Sequence, residues 1–276
     1  MRVLIPQQIL SSAWQLFWTH RRAWFDLSIV PLTLSLLVQL LLRPNLGEIV
    51  ALDPNDPATR ELAASFMLSW VVFIAASIII WAMFASAWMR FCLDLPQASS
   101  VPTGLSFNAP ARGVAAGFIK LMLISVTVTL LILVVMGGRV PTLGALSGIT
   151  LMALLASAPF LIRLSMMLPA AAAGQKLSLG GAWRMTRGNG LKLLFVVGIV
   201  FAGTFVAAAL LEGLLAAIMH SLFNYPLSLG PRTLLLLIDG LIAFSTTAFL
   251  LATVSVCYRQ LSGPGLQIVP QQRDRA

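Results

Sequence analysis

Charge is what this sequence has least of. Asp, Glu, Lys and Arg make up 10% of its residues, where a soluble domain carries about 25%. That shortfall excludes an ordinary solvated globular surface. Two histidines and two cysteines occur: His20, His220, Cys92 and Cys257. They lie too far apart for a metal-ligand spacing, so neither a metal nor another cofactor is expected. Each cysteine ends an apolar run on the side read below as cytoplasmic, where disulfides are rare, and both are expected as free thiols. Neither histidine stands at a recognisable spacing from a serine nucleophile. Gly188-Asn189-Gly190 lacks the Lys-Ser/Thr of a phosphate loop, and hydroxyls inside apolar runs can bond back to helix carbonyls. No enzyme is expected. A cleavable leader is not expected either: MRVLIPQQ turns polar at once, so the first apolar run should stay as an anchor.

What the chain has in excess is apolar length. Its 276 residues are 59% hydrophobic with a mean hydropathy of +0.93. The apolar residues come in runs of about 20 or more, which is what a helix needs to cross a hydrocarbon core roughly 30 Å thick. The expected fold is an all-α polytopic membrane bundle, one transmembrane domain over residues 1–257. Its six spans cover about 23–42, 62–88, 114–136, 143–168, 193–219 and 233–256. The stretch 43–61 carries four acidic residues among turn formers, and its Asp53-Pro54-Asn55-Asp56 lacks the spacing of a twelve-residue calcium loop. The proline-bearing stretch 95–113 reads as a loop, Gly137 to Pro141 as a tight turn. The tail 258–276 has no periodicity and reads as disordered.

The net charge is +9, and its placement matters more than its size. If six spans put both termini on one side, Arg43, Arg60, Arg139 and Arg232 fall on the other, and the remaining 14 of the 18 Lys and Arg share the side of the termini. Positive loops face the cytoplasm, so a bacterial inner-membrane protein with both termini cytoplasmic is expected. Basic residues in short loops between spans point to anionic lipid headgroups as partners, and away from nucleic acid.

Short amphipathic helices are expected on that basic side, at about 9–19 and 178–188. In the first, Ser11 or Ser12 can supply a cap, Trp14 suits the headgroup boundary, and Arg21 and Arg22 mark the membrane edge. A repeat is visible: a serine, then Ala-Trp, then a basic or Asn/Gly break before a span, at Ala13-Trp14 and again at Ala182-Trp183. A third, weaker copy spans Leu105 to Lys120. Chance similarity in so apolar a chain is the competing explanation.

The stretch from Arg163 to Leu194 organises the rest. Arg163 ends an apolar run, Pro169 and an Ala-rich bridge follow, and Ser178 opens a helix over Ala182-Trp183-Arg184-Met185-Thr186-Arg187. Gly188-Asn189-Gly190 then breaks the chain before the next span. Capped by Ser178, Arg184 and Arg187 would share one helix face at i and i+3, and Gly188 or Asn189 can take the left-handed turn that ends it. Trp183, Arg184, Arg187 and Asn189, with Trp14, Arg21 and Arg22, are the candidate headgroup contacts. A planar guanidinium matches a phosphate. The same arginines would equally serve as a topology signal beside a turn, with no ligand.

The pattern Arg163, Pro169, Ser178, Ala182-Trp183-x-Met185-Thr186-Arg187-Gly188-Asn189 resembles the membrane domain found with some bacterial glycerophosphodiester phosphodiesterases, and the related YciC-like inner-membrane proteins. The resemblance implies a six-helix bundle without an assigned activity. In the hydrolytic proteins a separate soluble barrel carries the chemistry, and this chain has no room for one.

Ionisable residues inside spans are the usual pointer to transport. Asp26 and Lys120 sit near span ends, where water access or snorkelling suffices. Arg163, Glu212 and Asp239 are the candidate intramembrane set, Arg163 with Asp26 or Asp94 as partner. The carboxylates could face each other, with Arg139, His220 or Arg232 as counter-charges. The expected function is a lipid-associated module that organises the membrane or docks a partner protein, without catalysis. The alternative is a small-solute or lipid transporter using Arg163, Glu212 and Asp239.

Overall fold

The computed structural model describes residues 3–42, 57–95, 106–135, 143–222 and 229–262. Nine α-helices and no strands occur among them: α1 Pro6–Thr19, α2 Arg21–Leu42, α3 Pro57–Cys92, α4 Ala109–Val135, α5 Leu143–Leu164, α6 Met167–Ala172, α7 Leu179–Met185, α8 Gly190–Leu222 and α9 Leu229–Ser262. Six stretches are long and apolar enough to cross a membrane: Arg21–Leu41, Met67–Cys92, Ala109–Val135, Leu155–Ala172, Gly190–Leu215 and Thr233–Ser262. This is a multi-pass, all-α membrane protein.

Several boundaries differ from the sequence reading, each for a local reason. Helix α1 starts at Pro6 and has no side-chain cap; proline is preset for a first helical turn, where its missing N–H costs nothing. Ser11 is therefore interior, its hydroxyl donating to the Gln8 carbonyl. Helix α4 starts at Ala109, because the Asn108 side-chain oxygen accepts from the Ala111 N–H at 3.1 Å. Residues 109–113 are thus helix and not loop, and most of the third repeat copy is the span itself. Helix α9 continues through Tyr258 to Ser262. Tyr258 is buried, so the expected disordered tail does not begin there. Residues 263–276 lie outside the described residues, as do 43–56 and 137–141.

The long helices form a ring. Helix α3 packs on α4, α4 on α5, α5 on α8 and α8 on α9, and α9 closes onto α3, with α2 seated on α3 and α9. Helix α6 is wedged among α3, α4 and α9, with Met167, Leu168, Pro169, Ala170 and Ala172 buried. The bend before it follows from Pro169, which has no N–H to give the Ser165 carbonyl. The Leu168 N–H takes that carbonyl at 2.9 Å instead. Space for α6 comes from Gly113 and Gly117. A Cβ at Gly113 would lie 3.2 Å from Ala171 Cβ, and one at Gly117 3.1 Å from Leu168 Cδ2.

Polar ties gather the helix ends at one end of the bundle. Arg259 pairs with Asp94 at 2.9 Å, and Arg90 donates to the Ala172 carbonyl at 2.9 Å. The Tyr258 hydroxyl donates to Gln175 Oε1 at 2.7 Å, and the Leu4 N–H to Asn189 Oδ1 at 3.0 Å. This end also carries Arg21, Arg22, Arg112, Arg184 and Arg187, so we call it the basic end. The core lies in the same half. Trp88, Phe84 and Met89 pack with Val114, Leu168 and Ala248 in one cluster, and Leu4, Ile9, Met166, Leu193 and Tyr258 in the other. Beyond it, α4 from Phe118 to Val135 and the described side chains of α8 from Phe201 onward include none that is buried. Such surfaces suit contact with lipid tails, against which apolar side chains gain nothing by burial. Cys92 and Cys257 are both free and both buried.

Candidate functional site

The segment that follows the bent span is built around Arg163. Its Nε donates to the Thr186 hydroxyl at 3.1 Å, and its NH2 group to the Trp183 carbonyl at 3.3 Å. Its guanidinium carbon also lies 3.5 Å from the centroid of the Trp183 ring, an arrangement of planar cation over indole that arginine suits. The Trp183 ring in turn stacks with Phe160, centroids 5.7 Å apart and planes 17° from parallel. Thr186 is buried. Its hydroxyl reaches the carbonyls of Ala182 and Trp183 at 3.0 and 3.1 Å, so it accepts from Arg163 while its own proton is used within the turn.

Local chemistry shapes the helix between. Ser178 caps α7 by accepting from the Gly181 N–H at 3.1 Å, as the sequence suggested. Helix α7 ends at Met185, with Thr186 as its C-cap. Arg187 is therefore in the turn beyond it, and the expected i, i+3 helix face does not form. Gly188 takes the left-handed conformation, φ 82°, which any Cβ would resist. Asn189 is 4% exposed, and its side chain points inward to Leu4. A Cβ at Gly190 would come 3.4 Å from the Arg163 side chain, so α8 begins directly against Arg163.

The candidate headgroup residues thus divide. Arg184 and Arg187 are exposed. Asn189 belongs to the interior, and Trp183, 38% exposed, is engaged by Arg163 and Phe160. Trp14 is 54% exposed and meets Trp18 and Phe249 edge-on, centroids 5.5 and 5.7 Å away. Arg21 and Arg22 are exposed at the start of α2. They follow the far end of α1, about 20 Å by helix rise from the Leu4–Asn189 contact. Two basic patches result, separated by the length of α1.

Arg163 is not brought to the two carboxylates of the intramembrane set. Arg163 lies against Gly190, and Glu212 is 22 residues further along α8, about 33 Å away by helix rise. Asp239 precedes Tyr258 by 19 residues on α9, about 28 Å from the basic end. Both carboxylates are exposed. At those depths they reach the opposite edge of a hydrocarbon core roughly 30 Å thick. Asp94 pairs with Arg259, and Asp26 is exposed. The counter-charges expected for Glu212 and Asp239, namely Arg139, His220 and Arg232, lie outside the described side chains.

Set against family models, curated proteins and solved structures, the chain matches none of them.

Sequence reasoning missed the partners of this site. Thr186 drew no attention as an acceptor, and nothing in the order of residues pairs Leu4 with Asn189. One signal was present and overlooked. Gly113-Val114-Ala115-Ala116-Gly117 is a Gly-x-x-x-Gly pattern inside an apolar run, a mark of close helix approach. It lies where α6 docks.

Proposed function

We propose that this protein is a non-catalytic, lipid-associated module of the bacterial inner membrane whose basic end, facing the cytoplasm, binds anionic headgroups. Its contacts are Arg184 and Arg187, with Arg21, Arg22 and the amphipathic ring of Trp14 forming a second point of attachment along the same surface. So anchored, the basic end offers a fixed platform for organising lipid or docking a partner protein. The Arg163–Asn189 pattern resembles the glycerophosphodiester phosphodiesterase membrane domain, which implies a membrane bundle and no assigned activity.

One observation carries the reading. Arg184 and Arg187 are exposed and their side chains have no partner among the described residues, while Thr186 and Asn189 are buried and Trp183, though partly exposed, is held by Arg163. A guanidinium on a fixed backbone loses less freedom on meeting a phosphate than one on a mobile loop. A basic residue near an anionic surface contributes roughly fivefold in affinity, so the pair is expected to contribute roughly 25-fold. Native mass spectrometry of the purified protein tests this. Anionic phosphatidylglycerol should remain bound to the wild type and be lost from the double variant Arg184→Ala/Arg187→Ala. Equal retention by both would reduce the two arginines to topology signals.

A further inference from the structure

Arg163 ties the end of one span to the turn that precedes the next. It lies in the last turn of α5, yet its hydrogen-bond partners are 20 and 23 residues further on, past the buried helix α6, one within α7 and one at its C-cap. We propose that Arg163 is a positioning residue for headgroup binding: it sets the direction of Arg184 and Arg187 and makes no lipid contact of its own. This inference rests on the lipid reading above.

The argument lies in the order of pinned and free residues. Trp183 is held through its carbonyl and its ring by Arg163. Arg184 follows and is exposed. Thr186 is held through its hydroxyl by the same guanidinium, and the exposed Arg187 comes next. Gly188 turns the chain at φ 82°, and Asn189 is held by the Leu4 N–H. Held residues recur at every third position, 183, 186 and 189, and each free arginine follows one of the first two. Two of the three ties end on Arg163, and the third ends on the segment before α1. The direction of both arginines is thus set by the residues that Arg163 and Leu4 hold.

Two donors and the plane of Arg163 have a defined use. Nε–H goes to the threonine hydroxyl, the NH2 group goes to the tryptophan carbonyl, and the plane covers the indole. A lysine at this position would keep the positive charge but could not hold two partners in a fixed fork while lying flat on a ring. Charge and geometry can therefore be separated by one conservative substitution. If Arg163 acted on phosphate through its charge alone, lysine would keep that action as a point charge, and Thr186→Val would leave it untouched.

The test uses the full chain in detergent with equal amounts of phosphatidylglycerol and phosphatidylcholine, read by native mass spectrometry as the ratio of the two lipids retained. Wild type is compared with Arg163→Lys, Thr186→Val and Arg184→Ala/Arg187→Ala. Thr186→Val removes the acceptor without changing charge, and it carries the test if Arg163→Lys does not fold. Both single variants are expected to lose the preference for phosphatidylglycerol by roughly five- to tenfold. A purely structural loosening would lower thermal stability but leave the ratio unchanged, and that result overturns the inference. So does a wild-type ratio in Arg163→Lys and Thr186→Val beside a lost preference in Arg184→Ala/Arg187→Ala, which leaves the lipid reading standing. A wild-type ratio in Arg184→Ala/Arg187→Ala removes the lipid reading itself, and this inference with it.

Discussion

Asn189 accepts a hydrogen bond from the backbone N–H of Leu4 at 3.0 Å, across 185 positions of sequence. Leu4 is 1% exposed and Asn189 4% exposed. The contact ties the segment before α1 to the turn before α8.

Replacing Asn189 with alanine would leave the Leu4 N–H buried without this acceptor. An orphaned buried donor costs about 1–3 kcal/mol. Thermal unfolding in detergent, followed by tryptophan fluorescence, should show a lowered midpoint for Asn189→Ala. Substituting the exposed Arg22 should change stability by no more than about 0.5 kcal/mol. An unchanged midpoint in Asn189→Ala would mean the strap does not hold.

Gly117 lets α6 approach α4. A leucine there would begin with a Cβ 3.1 Å from Leu168 Cδ2 and continue into the space α6 occupies. Overpacking of this kind costs about 1–3 kcal/mol. Gly117→Leu should therefore unfold earlier than wild type and, by displacing α6, expose the Arg90–Ala172 contact. Gly113→Ala should be milder, because Ala171 needs to shift by only a few tenths of an ångström. Equal stability in all three proteins would contradict the wedge.

Glu212 and Asp239 lie far from Arg163 along their helices and are exposed. Glu212→Gln and Asp239→Asn should leave the thermal midpoint and the retained lipid near wild type, within about 0.5 kcal/mol in stability. Loss of lipid in either variant would show that the carboxylate end takes part in binding, and would favour the transport alternative.

Both thiols are buried, and a buried thiol is shielded from reagents in water. A charged maleimide should label neither Cys92 nor Cys257 in the folded protein, and label both after denaturation. Mass measurement of the intact chain reads this directly. Rapid labelling of the native protein would place an opening at the basic end.

Much of the architecture was legible in sequence because its causes are local. A hydrocarbon core demands apolar runs of fixed length, so all six spans could be read before any contact was known. The Ser178 cap acts over three residues, and Gly188 needs no partner to take its left-handed turn. The start of α4 was local as well: Asn108 caps it from three positions away, and the prolines nearby were read as loop formers when Pro110 sits in a first turn.

The candidate site was only half legible. Arg163, Trp183, Arg184, Arg187 and Asn189 stand out by residue type, yet type alone does not show that Asn189 is buried against Leu4 or that Arg163 bonds Thr186 and Trp183. Arginine and asparagine offer the same donors and acceptors to a phosphate as to a buried backbone group. Which of the two they meet depends on direction. Arg163 was grouped with Glu212 and Asp239 because all three are ionisable residues in apolar runs; helix rise along α8 and α9 separates them.

By itself the sequence determined that this chain crosses a membrane six times, and where its short helix at 179–185 begins. Only the tertiary structure decided that Arg163 and Asn189 face inward while Arg184 and Arg187 face outward. The physical reason is that a span in lipid is apolar on every side, so its pattern does not reveal which face meets another helix. Contacts between Leu4 and Asn189, or Arg163 and Thr186, exist because helices distant in sequence pack at one end, with the bend at Ser165 and the two glycines of α4 making room.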